Sequence, residues 1–245
     1  MISLGCAKNL VDAELMLGSA KAEGFEITNN PAEADILVVN TCGFIDTAKQ
    51  ESIDAILEAN RQRDELRPDA RIVVSGCLSQ RYSGDLVNEL PEVDAFIGLD
   101  QVAEAGAIFR RVLEEKSPGV MNLVTPKSRY IPDFSTPRFR LTPAHSAYVK
   151  IAEGCNHPCS FCIIPQLRGK LASRPIDDVM AEAERLVASG VRELLVISQD
   201  TSAYGADLRY PRAEWNGSSY ETRFLDLARG LGSLGVWVRM HYVYP

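Results

Sequence analysis

The first 115 residues alternate short apolar runs with longer amphipathic stretches. Four of the apolar runs, ISL, ADILVVN, ARIVVSG and DAFIG, have the length and composition of buried strands. The stretches between them repeat apolar residues every three or four positions, which predicts helices, with polar residues such as Asn9 and Ser79 as their amino-terminal caps. This βαβα series predicts an α/β fold, an open parallel sheet with helices on both faces.

The alternation stops between residues 116 and 145 and then resumes. Because five of the chain's 13 prolines fall in this segment, we interpret it as a linker. Those prolines are Pro118, Pro126, Pro132, Pro137 and Pro143. Beyond it, three apolar runs alternate with two amphipathic stretches, which is the pattern of the first part of a βα barrel. Three such units cannot close a barrel, so we expect the second domain to be incomplete at its carboxyl end.

We therefore predict three regions: an N-terminal α/β domain (1–115), a linker (116–145) and a partial barrel (146–245). The chain has 245 residues and a net charge of −7, and the acidic excess lies within residues 1–143. A protein that grips phosphates would show a basic surface, so nucleic acid is disfavoured as a partner. The sequence has no apolar run long enough for a membrane span and no secretory signal pattern. We expect a cytoplasmic protein whose six cysteines are thiols or metal ligands.

Three cysteines lie within eight positions of one loop. Cys155, Cys159 and Cys162 form a C-x3-C-x2-C pattern in the polar segment GCNHPCSFC. Thiolates are soft ligands, so zinc and an iron–sulfur cluster are the candidates. A structural zinc requires a closed set of four ligands, and no second pair of cysteines follows here. Three thiolates on a four-iron cluster would leave one iron open to a ligand. The remaining interpretation is that the three cysteines are buried as small apolar side chains.

The other three cysteines are far apart in sequence but share one position in the predicted fold. Cys6, Cys42 and Cys77 each end an apolar run, namely ISLGC, ILVVNTC and RIVVSGC. Because parallel strands end at the same edge of a sheet, these thiols could lie close together at the edge where such sheets bind ligands. Three ordinary core cysteines remain an alternative. The more specific hypothesis is that these three thiolates hold a second cluster.

Several motifs together resemble a known family. The segments SLGCAKNLVDAE, VVNTCGFIDTAKQES, SGCLSQRY, YVKIAEGCNHPCSFCIIPQLRGKLASRP and ELLVISQDTSAYG are similar to those of the radical S-adenosylmethionine methylthiotransferases. The stretches GCAKN, IIPQLRG and HYVYP resemble the RimO type of this family, which modifies an aspartate of a small-subunit ribosomal protein. The related MiaB type modifies isopentenyl-adenosine in tRNA.

The resemblance implies two [4Fe–4S] clusters and S-adenosylmethionine as cofactors. Cys155, Cys159 and Cys162 would hold the cluster that cleaves S-adenosylmethionine to a radical, within a radical-SAM partial barrel. Cys6, Cys42 and Cys77 would hold an auxiliary cluster that carries the sulfur to be transferred.

The resemblance also implies further binding residues and partners. Phe161 would lie near the adenine of S-adenosylmethionine, and Gln199 and Asp200 near its amino group. Arg168 could contact a carboxylate or be a solvated loop residue. The expected partners are the ribosomal protein and an electron donor such as a flavodoxin or ferredoxin, with tRNA a weaker candidate and no membrane. Two other classes, a non-catalytic iron–sulfur carrier and a zinc-binding structural protein, remain as alternatives.

Overall fold

The computed structural model describes residues 1–115 and 119–244, so the first three residues of the predicted linker, including Pro118, lie outside the described residues. The described chain divides into two compact units. The first comprises Met1–Ser128 with Thr136–Phe139, and the second Arg129–Ser135 with residues 140–244. The segment predicted as a linker is therefore divided between the units, and the predicted domain boundaries stay a prediction.

The described residues of the first unit form five strands and four α-helices. Its elements in chain order are β1 (Ile2–Ser3), α1 (Ala7–Ala22), β2 (Ile36–Thr41), α2 (Asp46–Leu66), β3 (Arg71–Gly76), α3 (Cys77–Glu89), β4 (Ala95–Phe96), α4 (Ala105–Glu114) and β5 (Met121–Asn122). Short 3-10 helices lie at Pro31–Glu33 and Leu99–Glu104. The strands form one parallel sheet in the order β1-β2-β3-β4-β5, with Val39 opposite both Ile2 and Val74.

Both faces of this sheet are covered. Ile72 and Val74 of β3 pack in one apolar cluster with Ile56 of α2 and Leu86 of α3. Val73 lies between them in the strand, so its side chain alternates to the opposite face, and it too is fully buried. The fold class predicted for this half, a parallel sheet between layers of helices, is confirmed.

The helix caps predicted from the sequence are wrong at two positions. Helix α1 begins at Ala7 rather than after Asn9, and α3 begins at Cys77 rather than after Ser79. Both side chains therefore lie inside a helix. Asn9 donates hydrogen bonds to the carbonyls of Leu4 and Thr41, and Ser79 donates to that of Ile97. Polar residues read as caps instead bind neighbouring loops and strands.

The second unit, as far as residue 244, contains seven strands and three α-helices. Its elements are β6 (Ser146–Lys150), β7 (Ala152–Glu153), α5 (Ile164–Leu167), β8 (Ala172–Ser173), α6 (Ile176–Ala188), β9 (Glu193–Ile197), β10 (Arg212–Trp215), β11 (Ser218–Glu221), α7 (Phe224–Gly232) and β12 (Trp237–Met240). Strands β6, β9 and β12 form a parallel sheet, with Leu194 opposite both Ala147 and Val238. Helices α6 and α7 pack on it through Met180 and Leu227. This is the predicted first part of a βα barrel.

The segment between β9 and α7 contains a hairpin that the apolar pattern did not predict. Strands β10 and β11 pair antiparallel around Asn216 and Gly217, which both have positive φ angles, +47° and +75°. An Asn-Gly pair is the residue choice that a two-residue hairpin turn favours. The helix that follows the hairpin starts at Phe224.

Candidate functional site

The cysteine loop of the second unit is closed at its base by a pair of short strands. β7 and β8 pair antiparallel, so residues 154–171 form an excursion whose two ends meet. Gly154 follows β7 with a φ of +72°, and a Cβ built there would lie 2.2 Å from the carbonyl oxygen of Lys170. The N–H of Cys155 donates to the carbonyl of Gly169 at 3.1 Å. The loop therefore needs glycine at this base and begins at a fixed point.

A hydrogen bond connects this loop to the segment that follows β9. The ring Nε2 of His157 lies 2.6 Å from Oδ2 of Asp200. The Asp200 side chain is buried, while that of His157 is mostly exposed. The other carboxylate oxygen of Asp200 accepts from the N–H of Ala203. Asp200, predicted as a cofactor-binding residue, is thus placed where it orients the cysteine loop through His157.

A buried charged group lies directly beneath the loop. The carboxylate of Glu153 accepts from Lys150 Nζ at 2.9 Å, from Arg168 at 3.1 Å and from the amide of Gln199. Burial acts to raise the pKa of Glu153, but the charges of Arg168 and Lys150 and the hydrogen bonds from Lys150 and Gln199 outweigh it and lower the pKa to about 2. Glu153 is therefore a carboxylate at neutral pH.

Glu153 is the hydrogen-bond partner of two residues singled out from the sequence, Arg168 and Gln199. Arg168 is 3% exposed and paired with Glu153, so the reading of a solvated loop arginine is wrong. Gln199 is buried, and its Oε1 has no hydrogen-bond partner among the described residues, so it can accept from a ligand. Phe161 is 88% exposed and offers a ring face at the tip of the loop. The binding roles predicted for Phe161, Gln199 and Asp200 stay predictions.

The cysteines of the first unit lie as the topology predicts, at the carboxyl ends of three neighbouring strands. Cys6 follows β1, Cys42 follows β2 and Cys77 follows β3. The three loops approach one another closely. A Cβ built on Gly5, which has a φ of +92°, would lie 2.9 Å from Cβ of Cys42, and one built on Gly43 would lie 2.8 Å from the carbonyl oxygen of Cys77.

Amide and hydroxyl side chains make hydrogen bonds beneath these three cysteines. Ser52 Oγ accepts from the N–H of Cys42 at 2.9 Å, and Asn40 Nδ2 donates to the carbonyl of Asn9 at 2.7 Å. Asn40 Oδ1 and Ser75 Oγ are buried without a hydrogen-bond partner in the described chain. Hydroxyls, amides and the guanidinium of Arg81, which donates to the carbonyl of Gly43 at 3.1 Å, hold this edge of the sheet.

The donor chemistry fits iron–sulfur clusters better than single ions. None of the six cysteines, all of which lie in the described part of the chain, forms a disulfide. Within residues 1–115 and 119–244, no three His, Cys, Asp or Glu side chains are grouped to hold one metal ion. A closed zinc site needs ligands that converge on one point, whereas a cluster takes one thiolate at each iron. The close loops of the first unit and the single loop of the second suit the latter. Ligation by the six cysteines remains a prediction.

Two features of the site were missed from the sequence, the charged group around Glu153 and the amide network around Asn9. The segment YVKIAEG carries a lysine and a glutamate inside an otherwise apolar strand run. Since such charges are rarely buried unless paired, this was an available signal for an ion pair at a strand end.

The described residues contain no helix that is both long and apolar enough to cross a membrane.

Comparison with known proteins gives matches in both units. Residues 1–98 match a family described as "Uncharacterized protein family UPF0004", and residues 149–218 match the Radical SAM superfamily. The chain is 51% identical over 245 residues to the ribosomal protein uS12 methylthiotransferase RimO of Alkalilimnicola ehrlichii, and 49% identical over 248 residues to that of Ectopseudomonas mendocina. Each alignment covers 100% of this chain and 52% of the relative, so the chain spans about half the length of these curated relatives.

Solved structures show the same fold class. The radical S-adenosylmethionine methyltransferase TsrM of Kitasatospora setae, solved with cobalamin and a [4Fe-4S] cluster, matches with a TM-score of 0.54 at 14% identity, over 85% of this chain and 48% of that one. The fold is that of radical S-adenosylmethionine enzymes, and the superfamily match supports an iron–sulfur cluster and S-adenosylmethionine as cofactors. The chain belongs to the radical S-adenosylmethionine methylthiotransferase family and is of the RimO type.

Proposed function

We propose that this chain acts in the transfer of a methylthio group to the β-carbon of an aspartate in the small-subunit ribosomal protein uS12, in the cytoplasm. The observation that carries the proposal is the pair of cysteine trios, each at the carboxyl edge of a parallel sheet and each lacking a fourth thiol. The relatives named for this activity cover the whole chain.

Each trio would hold one [4Fe–4S] cluster, Cys155, Cys159 and Cys162 in the second unit and Cys6, Cys42 and Cys77 in the first. When bound, the clusters would supply the electron that cleaves S-adenosylmethionine to a 5′-deoxyadenosyl radical and the sulfur that is transferred. Such a cofactor is needed because an unactivated C–H bond has no acidic proton that a side-chain base could remove.

The chain's own residues position these groups. Asp200 orients the cysteine loop through His157, and Glu153 fixes both Arg168 and Gln199. The free oxygen of Gln199 is suited to accept a hydrogen bond from an ammonium group, and the face of Phe161 is suited to stack on an adenine. An electron donor such as a flavodoxin or ferredoxin would reduce the cluster held by the exposed cysteine loop.

The ribosomal protein is preferred to tRNA because of charge. The acidic excess within residues 1–143 disfavours a phosphate backbone and favours a basic protein.

Cofactor chemistry and substrate can be tested separately. The chain is reconstituted anaerobically with iron and sulfide, and dithionite and S-adenosylmethionine are added. We expect 5′-deoxyadenosine from the wild type and from Cys42→Ala, and none from Cys159→Ala. Iron without 5′-deoxyadenosine would indicate a non-catalytic carrier, and zinc without iron a structural protein. The loaded chain is then offered uS12 or tRNA, and a methylthio mass on tRNA alone would overturn the proposed substrate.

A further inference from the structure

Asn9 contacts all three cysteine-bearing loops of the first unit. It lies in the first turn of α1 and is almost fully buried. Its Nδ2 donates to the carbonyl of Leu4, ahead of Cys6, at 3.1 Å, and to the carbonyl of Thr41, ahead of Cys42, at 2.8 Å. Its Oδ1 accepts from the Sγ of Cys77 at 3.5 Å. A helix cap would bind only the start of its own helix, whereas this side chain links three strand ends.

The hydrogen bonds fix the direction of the amide. Both protons of Nδ2 are directed at carbonyl oxygens, and a flipped amide would place Oδ1 against those same carbonyls. The backbone oxygen of Asn9 accepts from Asn40 at 2.7 Å, which fixes the position of this turn of α1 as well. Asn9 therefore holds the loops of Leu4 and Thr41 by donating hydrogen bonds to them. It holds the thiol of Cys77 by accepting a hydrogen bond from it.

From this geometry we propose that Asn9 is the positioning residue of the Cys6, Cys42 and Cys77 trio, setting the separation of the three loops before iron binds. The inference rests on the proposed function, in which this trio holds a cluster. When Sγ of Cys77 bonds to iron, the thiol proton leaves to solvent and the contact with Asn9 Oδ1 loses its donor. The two bonds from Nδ2 involve no cysteine proton and remain available in the loaded protein.

The proposal separates hydrogen bonding from shape. Asn9→Asp keeps the size of the side chain but removes both Nδ2 donors, whereas Asn9→Ala removes size and donors together. If Asn9 only fills space, the aspartate variant will bind a cluster normally. Asn88 provides a matched control, because it is an exposed asparagine of the same unit whose amide donates within its own helix, to the carbonyl of Gly84.

The experiment uses the 245-residue chain with Cys155, Cys159 and Cys162 all changed to Ala, so that iron reports on the first unit alone. Iron and sulfide are counted after anaerobic reconstitution, the reduced cluster is recorded by electron paramagnetic resonance, and folding is checked by circular dichroism. We expect about four irons per chain in this background and with Asn88→Ala. With Asn9→Asp and Asn9→Ala we expect at least a fourfold loss of iron in folded protein.

The inference is overturned if Asn9→Asp keeps about four irons and an unchanged spectrum. If Asn9→Ala does not fold, the aspartate variant alone decides. If the background itself binds no iron, the proposed second cluster fails and the inference fails with it, whereas iron in the background and in both variants removes the inference alone.

Discussion

The two cysteine trios are built differently although both lie at the carboxyl edge of a parallel sheet. In the second unit, Cys155, Cys159 and Cys162 come from one loop, closed at its base by β7 and β8. In the first, three separate loops supply Cys6, Cys42 and Cys77, and glycine lets those loops touch. The first arrangement depends on local geometry, whereas the second depends on the whole sheet.

The floors differ as well. Beneath the second-unit trio, a buried carboxylate, Glu153, holds two cations and an amide. Beneath the first-unit trio, amides and hydroxyls bond to backbone groups. A buried ion left without its partner costs more than a buried amide left without one. The single-loop site should therefore be the more sensitive to loss of a floor residue, and the three-loop site to loss of close approach.

The largest effect is expected at Glu153. Glu153→Ala leaves Lys150 and Arg168 buried without their carboxylate and should lower the free energy of unfolding by about 4 kcal/mol. Asn40→Ala, which removes a buried amide beneath the first-unit trio, should cost about 2 kcal/mol. Urea titrations measure both. Fluorescence follows the second unit, since Trp215 and Trp237 both lie there, whereas circular dichroism follows both units, so a transition seen by circular dichroism alone belongs to the first. Equal costs would remove the distinction between the floors.

Acid should act on the same floor. The folded pKa of Glu153 is lowered from 4.5 to about 2, so its contribution is complete above pH 4.5 and is lost as the pH falls towards 2. We expect tryptophan fluorescence to show the second unit weakening across this window, with a shallower slope in Glu153→Gln. An identical slope in the variant would assign the acid sensitivity to other groups.

Close approach in the first unit is tested by Gly5→Ala. Gly5 has a φ of +92°, and the added Cβ would lie 2.9 Å from Cβ of Cys42, so we expect a cost of about 3 kcal/mol and loss of iron from the first unit only. Gly24 is the matched control, with a φ of +85° and nothing within 4 Å of its Cβ. Gly24→Ala should cost about 1 kcal/mol and leave iron unchanged. Normal iron in Gly5→Ala would show that the loops need not touch.

A smaller effect is expected where the single loop is anchored. Asp200→Asn weakens the 2.6 Å contact with His157, and we expect a chelator to remove iron from the second unit about tenfold faster, because groups that orient a metal loop have effects of this size. His157→Ala should do the same, with no added effect in the double variant. Additive effects would mean that the two residues act separately.

The smallest effect is expected at Phe161. Because the ring is 88% exposed, Phe161→Ala should change the free energy of unfolding by less than about 0.5 kcal/mol. Loss of stacking on adenine should weaken S-adenosylmethionine binding about fivefold, which calorimetry on reconstituted protein would measure. Unchanged affinity would exclude Phe161 from the adenine site.

The sequence predicted features that depend on spacing or on strand direction. Apolar periodicity gave both parallel sheets, and the shared strand-end position of Cys6, Cys42 and Cys77 placed them at one edge. The hairpin at Asn216 was missed although the turn signal was present. It was hidden because each strand is only four residues long and partly buried, so the alternation of Ala213 and Trp215 in β10 is too short to stand out.

Side-chain partners could not be predicted, because they depend on tertiary distance. Asn9 was read as a cap, but its bonds go to Leu4 and to Thr41, 32 residues away. Arg168 was compatible with solvent or with a carboxylate ligand, and only the fold brings it to Glu153. Periodicity identifies which residues are inside, but it does not identify which polar groups meet there.

The central claim is that the two trios hold one cluster each. The direct measurement is iron and acid-labile sulfide per chain after anaerobic reconstitution, for the wild type and for two triple alanine variants, one for each trio. We expect about eight irons in the wild type and about four in each variant. About four irons in the wild type, unchanged when Cys6, Cys42 and Cys77 are removed, would contradict the account.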